Sequence, residues 1–111
     1  TALAEWQKAI TGNDRMPEWQ LHYGKLLLDR GTYSEAAKHL SFAADEGEKL
    51  DPRPGWLPDA EFAAGEALRK SGAKDLAIAK YKRFLEIAPT NSPDRKDAQN
   101  ALVGMGVGSV P

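Results

Sequence analysis

The chain has 111 residues, 41% hydrophobic and 28% charged, with a net charge of −1 and no cysteine. That is one domain's worth of ordinary soluble composition, and it excludes disulfides, thiol chemistry and cysteine-based metal sites. Near-neutral charge without a basic stripe gives no reason to expect nucleic acid, and no apolar run approaches the roughly 18 residues that would cross a bilayer. No signal-peptide pattern opens the chain, and its first residue is threonine; it reads as a segment of a longer protein, with cytoplasm and periplasm both open.

Helical periodicity accounts for nearly everything. A first helix is expected over about Ala2 to Thr11, with Leu3, Trp6 and Ile10 on one side and a stop at Gly12-Asn13. Pro17 and Glu18 suit the first turn of a second helix that carries Trp19, Tyr23, Leu26 and Leu27 to Arg30 and ends at Gly31. A third opens at Thr32 to Ser34, packs through Ala36, Ala37, Leu40, Ala43 and Ala44, and runs to about Gly47 or Leu50. Asp51 to Pro58 holds three prolines and a glycine in eight residues, which breaks any helix. Asp59 is the expected start of a fourth helix, through Phe62, Ala63 and Leu68 to Ser71-Gly72. The fifth spans about Lys74 to Ile87 with Leu76, Ala77, Tyr81, Phe84 and Leu85 inward, and Ala88-Pro89 stops it. A last helix begins at Ser92-Pro93-Asp94 and runs through Ala98, Ala101 and Leu102 into a glycine-rich tail.

Within this run, one pattern is written twice. Tyr23-Gly24, Leu27, Gly31, Ala36 and Leu40 recur as Ala64-Gly65, Leu68, Gly72, Ala77 and Tyr81, each offset by 41 residues. A period of that size marks a helical hairpin stacked on its copy. Such stacks bury one face and offer the other as a surface, which favours binding over chemistry.

These residues resemble the tetratricopeptide repeat, in which a glycine marks a close helix crossing, a glycine fills the turn, and Ala-x3-aromatic and proline follow. The resemblance implies an all-α fold of antiparallel helical hairpins stacked as a short right-handed superhelix. Residues 1–103 would form one domain: 1–16 the second helix of a preceding repeat, 17–57 and 58–91 two full repeats, 92–103 a cap helix, with 104–111 a flexible tail. The period is about seven residues longer than the family's, all of it around Pro52 to Pro58, and the family's leading tryptophan is displaced to Trp19 and absent from the second copy.

The resemblance implies function in the concave groove lined by the first helix of each pair. Its residues here would be Glu18, Leu21, His22, Lys25 and Asp29, then Phe62, Ala63, Glu66, Arg69 and Lys70, then Lys96, Asp97 and Asn100. Leu21 and Ala63 stand where some family members carry a lysine and an asparagine that clamp a peptide carboxylate, so that mode is disfavoured. Leu21 and Phe62 would serve as apolar anchors, His22 and Glu66 as polar neighbours, and Lys25, Arg69 and Lys70 would receive an acidic flank. Trp56 is either an exposed anchor or a lid folded over the hairpin core; the cost of exposing an indole favours the lid.

No catalytic constellation is legible. His22 and His39 lack the convergent partners a metal needs, the carboxylates sit in solvated charge runs such as Asp45-Glu46-Gly47-Glu48, and Gly104-x-Gly106-x-Gly108 lacks the strand and helix of a phosphate loop. The expectation is a non-enzymatic protein–protein interaction scaffold without cofactor, binding a peptide or helix, with neither nucleic acid nor membrane insertion. The alternatives are a self-association module, a homodimer through Trp6 and Ile10, or a regulatory or targeting domain of a larger protein.

Overall fold

A computed structural model describes residues 16–107, which form five helices and, among the described residues, no strand. They are α1 (Pro17–Asp29), α2 (Tyr33–Glu48), α3 (Leu57–Ser71), α4 (Lys74–Ile87) and α5 (Asp94–Gly104). Each packs on the next in the chain, and α1 also touches α3. The architecture is therefore an all-α stack. The helix expected over Ala2 to Thr11 lies outside the described residues.

The α1–α2 and α3–α4 hairpins close in the same way, atom for atom. Gly31 and Gly72 have φ of 81° and 94°, a left-handed backbone that costs glycine little. Past them, the Thr32 N–H donates to Leu27 O and the Ala73 N–H to Leu68 O, which ties off the helix ends. On the far side of each turn the Ala36 N–H donates to Thr32 O and the Ala77 N–H to Ala73 O. Every member of these pairs is 41 residues from its counterpart. The duplication in the sequence is thus a duplication of hairpin geometry.

The helix crossings repeat as well, but with unequal tightness. A Cβ on Gly24 would lie 2.5 Å from Leu40 Cγ and 3.3 Å from the Leu40 backbone nitrogen, whereas one on Gly65 would meet the Tyr81 ring at 3.2 Å. Placing alanine in a helix gains about 1 kcal/mol over glycine, while overpacking costs about 1–3 kcal/mol. Gly24→Ala is therefore expected to lower the melting temperature by several degrees and Gly65→Ala to leave it nearly unchanged. Equal melting curves for the two variants would show that Leu40 moves aside freely.

Leu21, Leu40, Leu57, Tyr81, Phe84 and Leu102 are the large side chains sealed inside, with alanines at 36, 43, 44, 60, 64, 67 and 77 letting the helices approach. Leu76, expected inward, is 62% exposed. The stripe of α4 that faces the core is Ala77, Tyr81, Phe84 and Leu85, and at about 100° per residue Leu76 falls well outside that arc.

The irregular connection ends sooner than its prolines suggest. Helix α3 starts at Leu57 rather than Asp59, because Pro58 falls in the first turn, where a missing N–H leaves no hydrogen bond unmade. Trp56 and Leu57 fold back onto α2: a Cβ on Gly47 would lie 2.9 Å from Trp56 Cζ3 and 2.9 Å from Leu57 Cδ1. Trp56 is thus a lid over Gly47, half-buried against the core, and not an exposed anchor.

At the other end, α5 is fastened to α4 by Arg95, whose Nη1 donates to Leu85 O at 3.0 Å and Ala88 O at 3.1 Å. These are carbonyls at the end of α4, which have no later turn to bond within the helix. Ala98 and Leu102 complete the attachment from beneath. The first residues assigned to the tail belong to this helix end, with the Val107 N–H closing on Leu102 O past a left-handed Gly106.

Candidate interaction groove

The exposed face of α1 presents Glu18, His22, Lys25 and Asp29, one side of a helix at i, i+4, i+7 and i+11. Lys25 Nζ reaches across to Asp59 Oδ2 of α3 at 2.9 Å, joining the α1 and α3 faces into one surface. His22 Nε2 stands 3.8 Å from Glu18 Oε2 on the same helix.

Between α3 and α5 the surface sinks into a cleft of about 490 Å³ lined by Phe62, Glu66, Arg69, Asp97, Asn100 and Ala101. Its volume falls in the range of ordinary ligand clefts, about 300–1,000 Å³. The wall on α3 is held by a three-way network. Tyr81 Oη donates to Glu66 Oε1 at 2.7 Å, Arg69 Nε donates to Tyr81 Oη at 3.2 Å, and Arg69 Nη2 donates to Glu66 Oε2 at 2.9 Å. Burial and the Glu66 carboxylate both push the Tyr81 hydroxyl well above its ordinary value, so it remains a protonated donor. Phe62 forms the apolar floor, its ring 5.2 Å from that of Phe84 and 6.0 Å from that of Tyr81. On the α5 wall, Asp97 and Asn100 are exposed.

The expected groove residues therefore separate. Phe62, Glu66, Arg69, Asp97 and Asn100 meet in the cleft, and His22 and Lys25 lie on the adjoining α1 face. Leu21 does not take part: it is 1% exposed and belongs to the core, because α1 touches both α2 and α3 and buries a wide arc. Ala63 is likewise buried. Lys70 points away, its Nζ 5.5 Å from the centre of the Tyr33 ring. Trp56 lies over Gly47, outside the residues that line the cleft. The acidic-flank expectation meets the same pairing: Lys25 is engaged by Asp59 and Arg69 by Glu66, so neither cation is unpartnered.

Sequence reasoning missed the network that shapes the cleft. Tyr81 was legible only as the bulky partner of a glycine, and nothing local says that its hydroxyl emerges between Glu66 and Arg69. It also missed the other histidine's surroundings. His39 is half-buried, its Nδ1 hydrogen-bonded to the buried Gln20 side chain and its ring edge-on to Tyr23 at 4.8 Å. Burial lowers its pKa below the ordinary value, which keeps it neutral at pH 7 as a packing and hydrogen-bonding residue.

A second hollow, of about 420 Å³, lies between the connection and the end of α4, lined by residues including Pro54, Leu57, Pro58, Ile87 and Pro89. Among the described residues no group of three or more His, Asp or Glu side chains could hold a metal ion, and no helix is long and apolar enough to cross a membrane. No protein-family model matches the chain, and no curated protein or solved structure matches it at a significant level.

Proposed function

We propose that the chain is a protein-interaction module of tetratricopeptide-like build, which takes a peptide or helix of a partner protein along the face made by α1, α3 and α5. The observation that supports this reading is the cleft between α3 and α5, with an aromatic floor, polar walls and a lining fixed by hydrogen bonds. Three of its residues come from one helix and three from another, so the fold pre-sets the surface and leaves the bound segment to bear most of the ordering cost. The partner's contact segment combines an apolar or aromatic side chain for Phe62 with donors for Asp97 and Asn100.

Panning a displayed library of short peptides against the chain tests the reading. Asn100→Trp, an exposed position whose new side chain fills the cleft, is expected to abolish binding of the enriched peptides while leaving the melting temperature within about 2 °C, as surface changes do. A library that enriches no sequence, or peptides that bind the Asn100→Trp variant equally well, would remove the groove from consideration.

A further inference from the structure

Glu61 is the anomaly of the interior. It sits on the first turns of α3, is 1% exposed, and neither of its carboxyl oxygens has a hydrogen-bond partner. A buried carboxylate normally has its charge matched in full. Here the nearest cation, Lys80 Nζ of α4, stands 3.9 Å away and is committed to Asp45 Oδ1 of α2 at 2.6 Å. The Glu48 carboxylate of α2 is close enough to Glu61 to disfavour a second negative charge there, and Arg83 of α4 holds Glu48 through both carboxylate oxygens at 2.6 and 2.8 Å. Arg83 also has Glu86 at 3.8 Å, and Arg53 of the connection adds positive potential at Glu48. Asp45 and Glu48 of α2 and Lys80 and Arg83 of α4 are the charged surroundings of Glu61, with Arg53 and Glu86 one step further out, beside Glu48 and Arg83.

The arrangement has two electrostatic states. A proton on Glu61 removes the buried charge and supplies a donor facing the Glu48 carboxylate, which remains an anion on Arg83. Without that proton, the buried Glu61 carboxylate stands against the half-buried Glu48 carboxylate, with Lys80 3.9 Å away and Arg83 already held by Glu48. Trp56 and Leu57 pack over Gly47, the residue before Glu48 on α2, and Leu57 stands one helical turn before Glu61 on α3.

We propose that Glu61 is a proton-operated latch at the α2–α3 joint, which keeps the Trp56 lid closed over Gly47 while protonated and lets it open to water when the proton leaves. Burial, with the Glu48 and Asp45 charges adding to it, raises the carboxyl to about 7 against the opposing pull of Lys80. The latch therefore works around neutrality. Because α3 also supplies Phe62, Glu66 and Arg69, movement at its start reaches the groove; the latch itself does not depend on what the groove binds.

Acrylamide quenching of Trp56 fluorescence in a Trp6→Phe/Trp19→Phe background, followed from pH 5.5 to 8.5 alongside far-ultraviolet circular dichroism, tests this. Quenching is expected to rise at least twofold with a midpoint near pH 7 while helical signal is unchanged. Glu61→Gln, which mimics the protonated side chain, is expected to hold quenching at the low-pH level throughout. Lys80→Met, which removes the opposing cation, is expected to move the midpoint up by roughly one unit. Flat quenching in the parent, a transition that survives Glu61→Gln and so belongs to a histidine, a midpoint unmoved by Lys80→Met, or loss of helical signal in step with quenching would each overturn the latch.

Discussion

Replacing Tyr81 by alanine is expected to lower the unfolding free energy by about 4 kcal/mol, within the range for deleting a buried aromatic side chain. Tyr81 has no exposed surface, and its ring fills the crossing left open by Gly65, with ring carbons 3.2 Å from where a Cβ would stand. No neighbouring side chain can collapse into that space without breaking the contact between α3 and α4. Such a loss is a large part of the 5–15 kcal/mol that holds a typical domain together. Tyr81→Phe separates the ring from the hydroxyl. It keeps the packing and deletes the bonds to Glu66 and Arg69, both of which water can reach, so the expected cost is about 1 kcal/mol. Urea denaturation of the two variants measures the difference, and a Tyr81→Ala loss below that of Tyr81→Phe would show that the ring is not the keystone of the second hairpin.

The second large effect is a stability that declines as pH rises through the weakly acidic range. Glu61 takes up its proton near the ordinary value of 4.5 in the unfolded chain and at about 7 in the folded one. Below pH 4.5 it is protonated in both states and costs nothing. Between 4.5 and 7 the unfolded state sheds the proton first, so folding becomes less favourable, and above 7 the penalty is complete. At 1.36 kcal/mol per unit of pKa difference, the full penalty is on the order of 3 kcal/mol. Glu48 works in the opposite sense in a lower window: the Arg83 guanidinium holds its carboxyl below the ordinary range, so its contribution is present above about 4.5 and lost as pH falls further. Glu61→Gln is expected to flatten the decline between pH 5 and 7 and to leave the protein more stable than the parent at pH 8. Chemical denaturation across that range checks both, and a parent whose stability does not fall toward pH 7 would contradict the burial argument.

Much of the stack was legible without coordinates because its instructions are local. Gly31 and Gly72 are needed where the backbone turns left-handed, Pro17 suits a first turn, and the alanine stripe at 36, 43 and 44 marks a close contact. All of these are read within a few residues. The errors arose where a side chain's fate depends on which neighbours flank its helix. Leu21 looked like a groove anchor, yet α1 is covered on two sides and swallows it. Leu76 looked apolar enough to be inward, yet among the described residues no element covers that side of α4. Of the candidate site, Phe62, Glu66, Arg69, Asp97 and Asn100 were placed by what the tetratricopeptide resemblance implies, while the orientation of Lys70 toward Tyr33 was not.

By itself, then, the sequence determined the helices, their turns and the duplication at 41 residues, since those rest on backbone conformation and period. Only the tertiary structure decided where charge is stranded and where it is matched. It brings Glu61 of α3 between the acids of α2 and the cations of α4, residues separated by 13 to 22 positions in the chain. It also pairs Lys25 of α1 with Asp59 of α3 and sets the Tyr81 hydroxyl of α4 between Glu66 and Arg69, engaging cations that the chain alone offers to an acidic partner. The physical reason is the same throughout. Hydrogen-bonded turns are settled by near neighbours, whereas desolvation and Coulomb energy depend on every group within a few ångströms, whatever its place in the sequence.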